Sequence, residues 1–429
     1  MPKKVLIITY YWPPAGGPGV QRWLKFVKYL GDFEVEPIVC IPENPTYPLE
    51  DTTLGKEVPK GLQLIKSPIN EPYKKAKLVS KSSTETVSKG IIHQPKNQSL
   101  VEKLLLFIRG NFFIPDARKG WIQPTTALLK ETIQKEGIDT IITTGPPHSV
   151  HLIGLGLKEV LGVRWIADFR DPWTTIGYHK KLKLLPFAKR KHKQLESQVL
   201  NTADEILVTS FTTQNEFEAI TQQPIAVITN GYDVEEVPEQ KRTRKFSIMH
   251  IGSLLTDRNP KVLWEVLQEM TEEDSIFKSQ LELTFVGAIS DEVLSSLEAH
   301  ELSQFANLKG YVSHKSALKY QRKAQVLLLV EIDSEETKCI IPGKLFEYIA
   351  AKRPILALGP EASDVQHIIR ETKAGHYFTY VEKDALKIAI QTYFEDYSKQ
   401  RLEVNSVGLA KYSRKALTEK LSKIIRNEA

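Results

Sequence analysis

The chain has 429 residues, 41% of them hydrophobic and 26% charged, with a formal net charge of +6. That balance belongs to a soluble globular protein long enough for two domains, and no run reaches the 18 apolar residues of a membrane-spanning helix. Cys40 and Cys339 each sit in or beside an apolar element, which excludes a disulfide framework and a cysteine zinc site. The first apolar run is too short for a secretory signal and lacks a small-residue cleavage site, so the expected compartment is cytoplasmic.

From the N-terminus, Val5–Tyr11 reads as a strand, 20–30 as a helix and Glu36–Ile41 as a strand. The basic, Ser-rich stretch 73–90 reads as a surface loop or insertion. A helix near 124–136 precedes strand Thr140–Thr144, and a helix over about 149–160 precedes strand Arg164–Phe169. Strands Glu205–Thr209 and Ala226–Thr229 follow. All are short apolar runs without alternation, the pattern of strands buried on both faces of a parallel sheet.

The charged segment 234–245, "VEEVPEQKRTRK", reads as a linker. Beyond it come strand Ser247–Ile251, helix 260–270, strand Leu283–Val286, helix 291–299, strand Val326–Val330, helix 344–351 and strand Pro354–Leu358. A last amphipathic segment sets Leu417, Leu421 and Ile424 on one face. Alternating βα units on both sides of a linker predict an α/β protein of two doubly wound, Rossmann-like domains facing across a central cleft. Their expected limits are 1–235 and 236–405, with a helix at about 409–427 packing back on the first domain.

The bend after the first strand, "TYYWPPAGGPGV", holds Pro13, Pro14, Gly16, Gly17, Pro18 and Gly19, more than a turn needs. Such a loop suits a defined shape with bare backbone at Gly16 and Gly17. It is neither a Walker loop nor G-x-G-x-x-G. The segment "KKLKLLPFAKRKHK", 180–193, carries seven Lys/Arg and no acid. Pro186 suits a first helical turn, and Leu185, Ala188, Leu195 and Val199 recur on one stripe with Lys189, Arg190, Lys191 and Lys193 around it. Such a helix can lie on an anionic membrane surface, or it is an ordinary solvated face. No aromatic-interleaved basic motif points to nucleic acid.

In "IIPGKLFEYIAAKRPILALGP", 340–360, a helix starts near Lys344, and Lys344 and Glu347 share a face of its first turn. A helix N-terminus favours anions, Lys344 adds charge for a phosphate, and Glu347 can accept ribose hydroxyls; a simple i,i+3 ion pair is the plainer alternative. This segment resembles the nucleotide-sugar site of the GT-B retaining glycosyltransferases of family 4, with its K-x-x-E-Y-x-A-x-x-(K/R)-P-(I/V) pattern. The resemblance implies that Glu347 binds the ribose. A second Glu that often contacts the donor sugar is replaced by Cys339, with Glu335 and Glu336 upstream. "HIGSLLTDRNPKVLWEVL", 250–267, resembles the family's G-R-L-x-x-x-K-G stretch: Gly252 matches the Gly, Arg258 takes the Lys place, and Ser253 stands where Arg is usual. Arg258 and Lys344 would then face the donor diphosphate.

In the first half, "TTGPPHSVHLIG", "ADFRDPW", "TSFTTQNEF" and "TNGYD" fall at strand C-terminal ends, where doubly wound sheets bind ligands. Asp168, Arg170 and Asp171 are the catalytic candidates, since three charges at a strand end are costly unless paired or used. His148, Asp116 and Arg118 are candidates on the acceptor side, although Asp116 and Arg118 can equally pair with each other. By the same resemblance Gly16 and Gly17 lie beside the donor phosphates. It further implies a retaining transferase that needs no metal or cofactor. Its substrate would be a UDP- or GDP-sugar, and its acceptor a cell-surface or lipid-linked saccharide at the inner face of the plasma membrane. A GT-B epimerase and a catalytically silent scaffold are the competing readings.

Overall fold

The computed structural model describes residues 2–71, 100–177, 182–233 and 240–428. The chain divides into two compact units, Met1–Thr229 with Arg414–Ala429, and Asn230–Ser413.

The first unit is built on a seven-stranded parallel sheet. Its strands are β1 (Lys3–Thr9), β2 (Val35–Glu43), β3 (Gln63–Pro68), β4 (Thr140–Gly145), β5 (Arg164–Phe169), β6 (Glu205–Val208) and β7 (Ile225–Val227). The order is β3-β2-β1-β4-β5-β6-β7, so the winding reverses between β1 and β4. Leu6 pairs with Ile141 and Thr9 with Thr144 across that seam. Helices α1 (Pro18–Leu30), α2 (Leu100–Phe112), α3 (Ile122–Glu136), α4 (Ser149–Leu161), α5 (Pro186–Thr202) and α6 (Phe211–Glu218) belong to the same unit.

Period-two alternation along each strand gives this sheet two apolar faces. Leu6, Ile8, Ile38, Ile141 and Trp165 fill one, and Val5, Ile7, Val39, Ile142 and Ile166 the other.

The second unit repeats the plan with β8 (Phe246–Ile251), β9 (Leu281–Val286), β10 (Ala306–Gly310), β11 (Val326–Val330), β12 (Ile355–Leu358) and β13 (Gly375–Phe378). The order is β10-β9-β8-β11-β12-β13, all parallel, with the reversal between β8 and β11. Its helices are α7 (Lys261–Glu273), α8 (Ser275–Gln280), α9 (Asp291–Ala299), α10 (His314–Lys323), α11 (Gly343–Ala350), α12 (Asp364–Thr372) and α13 (Lys383–Ser398). β8, β11 and β12 are buried at every residue; β11 and β12 read as unbroken apolar runs, while β8 carries the buried polar residues Ser247 and His250.

The last helix, α14 (Arg414–Arg426), returns to the first unit. Leu417, Leu421, Ile424 and Ile425 enter the core beside Val20, Leu24 and Val27 of α1. Arg164 Nη1 donates to the carbonyls of Ile424 and Ile425 at 2.7 and 3.1 Å, neutralising the C-terminal end of α14. The first six residues of the expected linker lie outside the described residues. Its second half packs into the second unit, where Thr243 N donates to Lys323 O at 3.0 Å.

Candidate functional site

In doubly wound sheets the crevice beyond the strand C-termini opens where the winding reverses. In the second unit that seam lies between β8 and β11, and the residues beyond it are His250, Gly252, Arg258, Glu331 and Lys344. Gly252 has φ +112, and a Cβ there would stand 2.8 Å from Lys344 Nζ. The bare glycine makes room for the lysine, not directly for a ligand. Tyr348 anchors α11 by accepting from Ile251 N at 2.8 Å and donating to Ile251 O at 3.2 Å. Lys344, one turn earlier, is thereby fixed at the helix N-terminus.

Lys344 Nζ lies 3.2 Å from His250 Nε2, and His250 Nδ1 lies 3.0 Å from Leu328 O. A carbonyl only accepts, so the ring proton sits on Nδ1 and Nε2 accepts from the ammonium. Burial and the charge of Lys344 hold His250 well below the usual range. Burial, then Arg258, push Lys344 down to about 7, with Glu347 opposing. Arg258 sits on the short turn Thr256–Arg258, half-buried, and its side chain has no ion pair or hydrogen bond among the described residues. The two cations repel as like charges, and Glu347 is the acid that partly offsets this at Lys344.

Glu347 lies one turn beyond Lys344. Its Oε1 meets His314 Nε2 at 3.0 Å and its Oε2 accepts from Gln321 Nε2 at 2.8 Å, so α10 holds the carboxylate. The simple Lys344–Glu347 ion pair does not form; Glu347 bonds to α10 instead. Neither His314 nor Gln321 is singled out by the sequence reading, and neither is Glu331. The last had a signal, an acid directly after "VLLLV". Glu331 Oε2 accepts from Tyr377 and Ser363 hydroxyls at 2.8 and 3.0 Å, and Oε1 is buried without a partner among the described residues. Burial pushes this carboxyl up to about 8. Cys339 is buried beside Glu336 O, and Glu335 pairs with Lys338 at 2.7 Å.

In the first unit the proline-glycine loop folds onto residues 49–51. Gly16 N donates to Leu49 O at 2.9 Å, and Asp51 N donates to Pro14 O at 2.7 Å. A Cβ on Gly16 would come within 3.1 Å of Leu49 Cγ. The expectation that Gly16 offers backbone to a ligand is therefore corrected: its amide is occupied and its open side filled. Gly17 differs. It caps α1 at φ +97, and the position of its missing Cβ has no atom within 4 Å. Gly19 lies under the Arg170 guanidinium, so even a methyl group there would collide with it.

Asp168 is withdrawn from solvent entirely. Arg22 Nη2 reaches Oδ1 at 2.9 Å, while Trp23 Nε1 and Thr144 Oγ1 donate to Oδ2 at 2.7 and 2.8 Å. A carboxylate with these donors clasps α1 to β4 and β5, which corrects its placement among groups that meet substrate. Arg170 is half-buried, donating through Nε to Gly145 O at 3.2 Å and through Nη2 to Pro146 O, with its guanidinium over Tyr11. Asp171 is half-buried beside it, its carboxyl raised by burial while Arg170 pulls it down.

Asp116 and Arg118 do not pair through their side chains. Asp116 instead takes the first turn of α4, accepting from Ser149 N at 2.8 Å and Ser149 Oγ at 3.0 Å. Arg118 lies 3.6 Å from Glu71 Oε1 and over the Tyr10 ring, and Tyr10 donates to the same Glu71 oxygen at 2.5 Å. His148 precedes α4, stacked 4.7 Å from Trp173. His151, one turn on, meets Thr143 Oγ1 at 2.9 Å, and burial pushes it down to about 3.

The α5 stripe expected to face lipid mostly faces the core: Ala188, Leu195 and Val199 are buried. The stretch 73–90 and Lys180 and Lys181 lie outside the described residues. Among the described residues no helix is long and apolar enough to cross a membrane, and no His/Cys/Asp/Glu group could hold a metal.

Residues 92–236 match Glycosyltransferase Family 4. No curated protein matches the sequence. Among solved structures, a glycosyltransferase from Rickettsia africae ESF-5 is similar at 14% identity and TM-score 0.61, covering 100% of both chains. The lipopolysaccharide outer core galactosyltransferase WaaB is similar at 11% identity and TM-score 0.60, again over 100% of both. Anabaena Alr3699/HepE in complex with UDP-glucose is similar at 12% identity and TM-score 0.55, over 99% of this chain and 96% of that one. The protein has the GT-B fold, and its residues 92–236 are similar to Glycosyltransferase Family 4.

Proposed function

We propose that this protein transfers a sugar from a nucleotide-sugar to a cell-surface or lipid-linked saccharide, with retention and without a metal. The observation that carries the reading is the pairing of Lys344 and Arg258 at the β8–β11 seam, with Glu347 one turn along α11. Two cations and a helix N-terminus stabilise the negative charge that develops on a departing diphosphate, and they do so without reorganising as it leaves. Glu347 accepts the ribose hydroxyls, sharing or exchanging the His314 and Gln321 contacts. Gly17, Arg170, Asp171 and His148 are proposed to act on the sugar and acceptor. Asp168, Asp116 and Arg118 position the elements that carry them. The acceptor reading brings the protein to an anionic membrane surface through the basic segment of α5.

A thermal-shift panel of UDP-, GDP-, ADP- and dTDP-sugars tests the donor site. UDP-glucose is the first candidate, since a similar structure holds it. A ligand at a hundred times its dissociation constant stabilises by about 2.7 kcal/mol. A shift with one nucleotide class, lost in Lys344→Ala, supports the reading; no shift with any removes it. Release of an altered nucleotide-sugar without acceptor would mark an epimerase.

A further inference from the structure

α2 ends at Phe112, and the chain before α5 runs back against it. A Cβ on Gly110 would meet Leu184 Cδ2 at 2.8 Å and Leu182 Cβ at 3.0 Å. The buried Asn111 accepts from Leu185 N at 2.6 Å through Oδ1 and so fixes the start of α5. This clamp sets two aromatic rings side by side on the outside: Phe112 and Phe187 have centroids 6.4 Å apart and are 58% and 52% exposed. Leu185, two residues before Phe187, is also exposed.

The charged residues that follow Phe187 on α5, up to Lys193, are all basic. Lys119 Nζ donates to Phe112 O at 2.9 Å, and Lys189, Arg190, Lys191 and Lys193 are exposed on α5. There is no Asp or Glu from Leu182 to Gln194. The first acid beyond, Glu196, is turned inward and accepts from Thr174 N at 3.0 Å and Thr174 Oγ1 at 2.6 Å. Two exposed aromatic rings beside a run of exposed cations have the chemistry of an interfacial anchor, in which rings enter the acyl boundary and cations meet anionic headgroups.

We propose that Phe112 and Phe187 form a wedge that inserts into an anionic lipid bilayer, held there by the surrounding Lys and Arg side chains. The proposal rests on the membrane-surface reading above and adds insertion to adhesion. The face that meets lipid is this two-segment wedge, while the apolar stripe of α5 stays in the core.

The test uses the full chain and vesicles of phosphatidylglycerol and phosphatidylcholine, some with brominated acyl chains. All six tryptophans are buried, at 1% exposure or less, so their emission is a background shielded from lipid bromine, over which a Trp placed at 187 adds a quenchable component. Phe187→Trp should be quenched by brominated lipid while the parent protein is not. Phe112→Ser and Phe187→Ser should each weaken vesicle partition roughly tenfold, the scale of one exposed aromatic ring leaving an apolar phase. If Phe187→Trp sediments with vesicles without quenching, binding is electrostatic adhesion, and insertion is overturned while the membrane reading stands. If the parent protein does not sediment with anionic vesicles, both fall. If the serine variants instead dissociate a dimer, the rings pack against a second copy and the lipid wedge is overturned.

Discussion

Lys344 is flanked by Gly252, His250 and Arg258, and its pKa near 7 reflects burial and a like charge more than attraction to Glu347. The unfolded chain keeps the ordinary value of 10.5, so between about 7 and 10.5 it binds more protons than the folded one. This lysine therefore makes ligand-free stability rise with pH across that window. A bound diphosphate reverses the preference and draws a proton onto Nζ. Nucleotide-sugar affinity should accordingly weaken as pH rises above 7. Calorimetry at pH 8 in two buffers of different ionisation enthalpy should show proton uptake by the parent protein and none by Lys344→Met. Glu347→Ala should weaken the same binding by about 1.5–3 kcal/mol, the scale of hydrogen bonds to a charged acceptor. Calorimetry measures it, with circular dichroism confirming the fold. Lys344 and Glu347 were legible in sequence because three-residue spacing puts them on one helix face. His314 and Gln321 were not, since they come from another helix and only the sheet topology brings them near.

Between elements, Asp168 shows why a strand-end charge is ambiguous in sequence. Used and paired carboxylates look alike there, and its partner Arg22 lies on α1, with β2, β3 and β4 intervening in the chain. Asp168→Asn should destabilise the protein by about 3–5 kcal/mol, because it leaves a buried guanidinium without its counter-charge. Urea unfolding checks this, and activity per folded molecule should fall far less than stability. Glu331 ties β11, β12, β13 and α12 together by a different logic. Tyr377 also reaches Pro360 O at 2.8 Å, and Ser363 reaches the Tyr377 hydroxyl at 3.0 Å. Two hydroxyl protons cannot serve all four close oxygen contacts, and a protonated Glu331 adds one more donor to the cluster. Its folded value near 8 lies above the ordinary 4.5, so its stabilisation is complete below 4.5 and lost as pH rises toward 8. Glu331→Gln should therefore gain stability relative to the parent between pH 5 and pH 8, read by urea midpoints at both. The central strands were legible as apolar runs, whereas β3 and β10 are half-exposed edge strands of mixed character and gave no such pattern.

At the scale of the whole molecule, each unit carries its own chemistry. The residues proposed to meet the nucleotide-sugar, Arg258, Lys344 and Glu347, all lie in Asn230–Ser413. The two ends of that unit are adjacent: Tyr232 N donates to Tyr412 O at 3.1 Å, and Tyr232 bridges Ser413 in parallel. A segment with neighbouring ends and its own cores should fold when excised. Residues 230–413 expressed alone should unfold cooperatively and bind the nucleotide-sugar by calorimetry. An unfolded fragment would show that its sheet depends on the rest of the chain.

The return of α14 to the first unit has a consequence for how the protein is made. A chain leaving the ribosome presents β1 to β7 early, yet the sheet face behind Val5, Ile7 and Val39 lacks Leu417, Leu421, Ile424 and Ile425 until synthesis reaches them. The second unit, contiguous in the chain, can close first. The usual N-to-C order of domain completion is thereby inverted. A ribosome that stalls anywhere within the second unit releases a product whose first unit has this core covered by α1 but not by α14, the kind of partly open apolar surface that chaperones and proteases recognise.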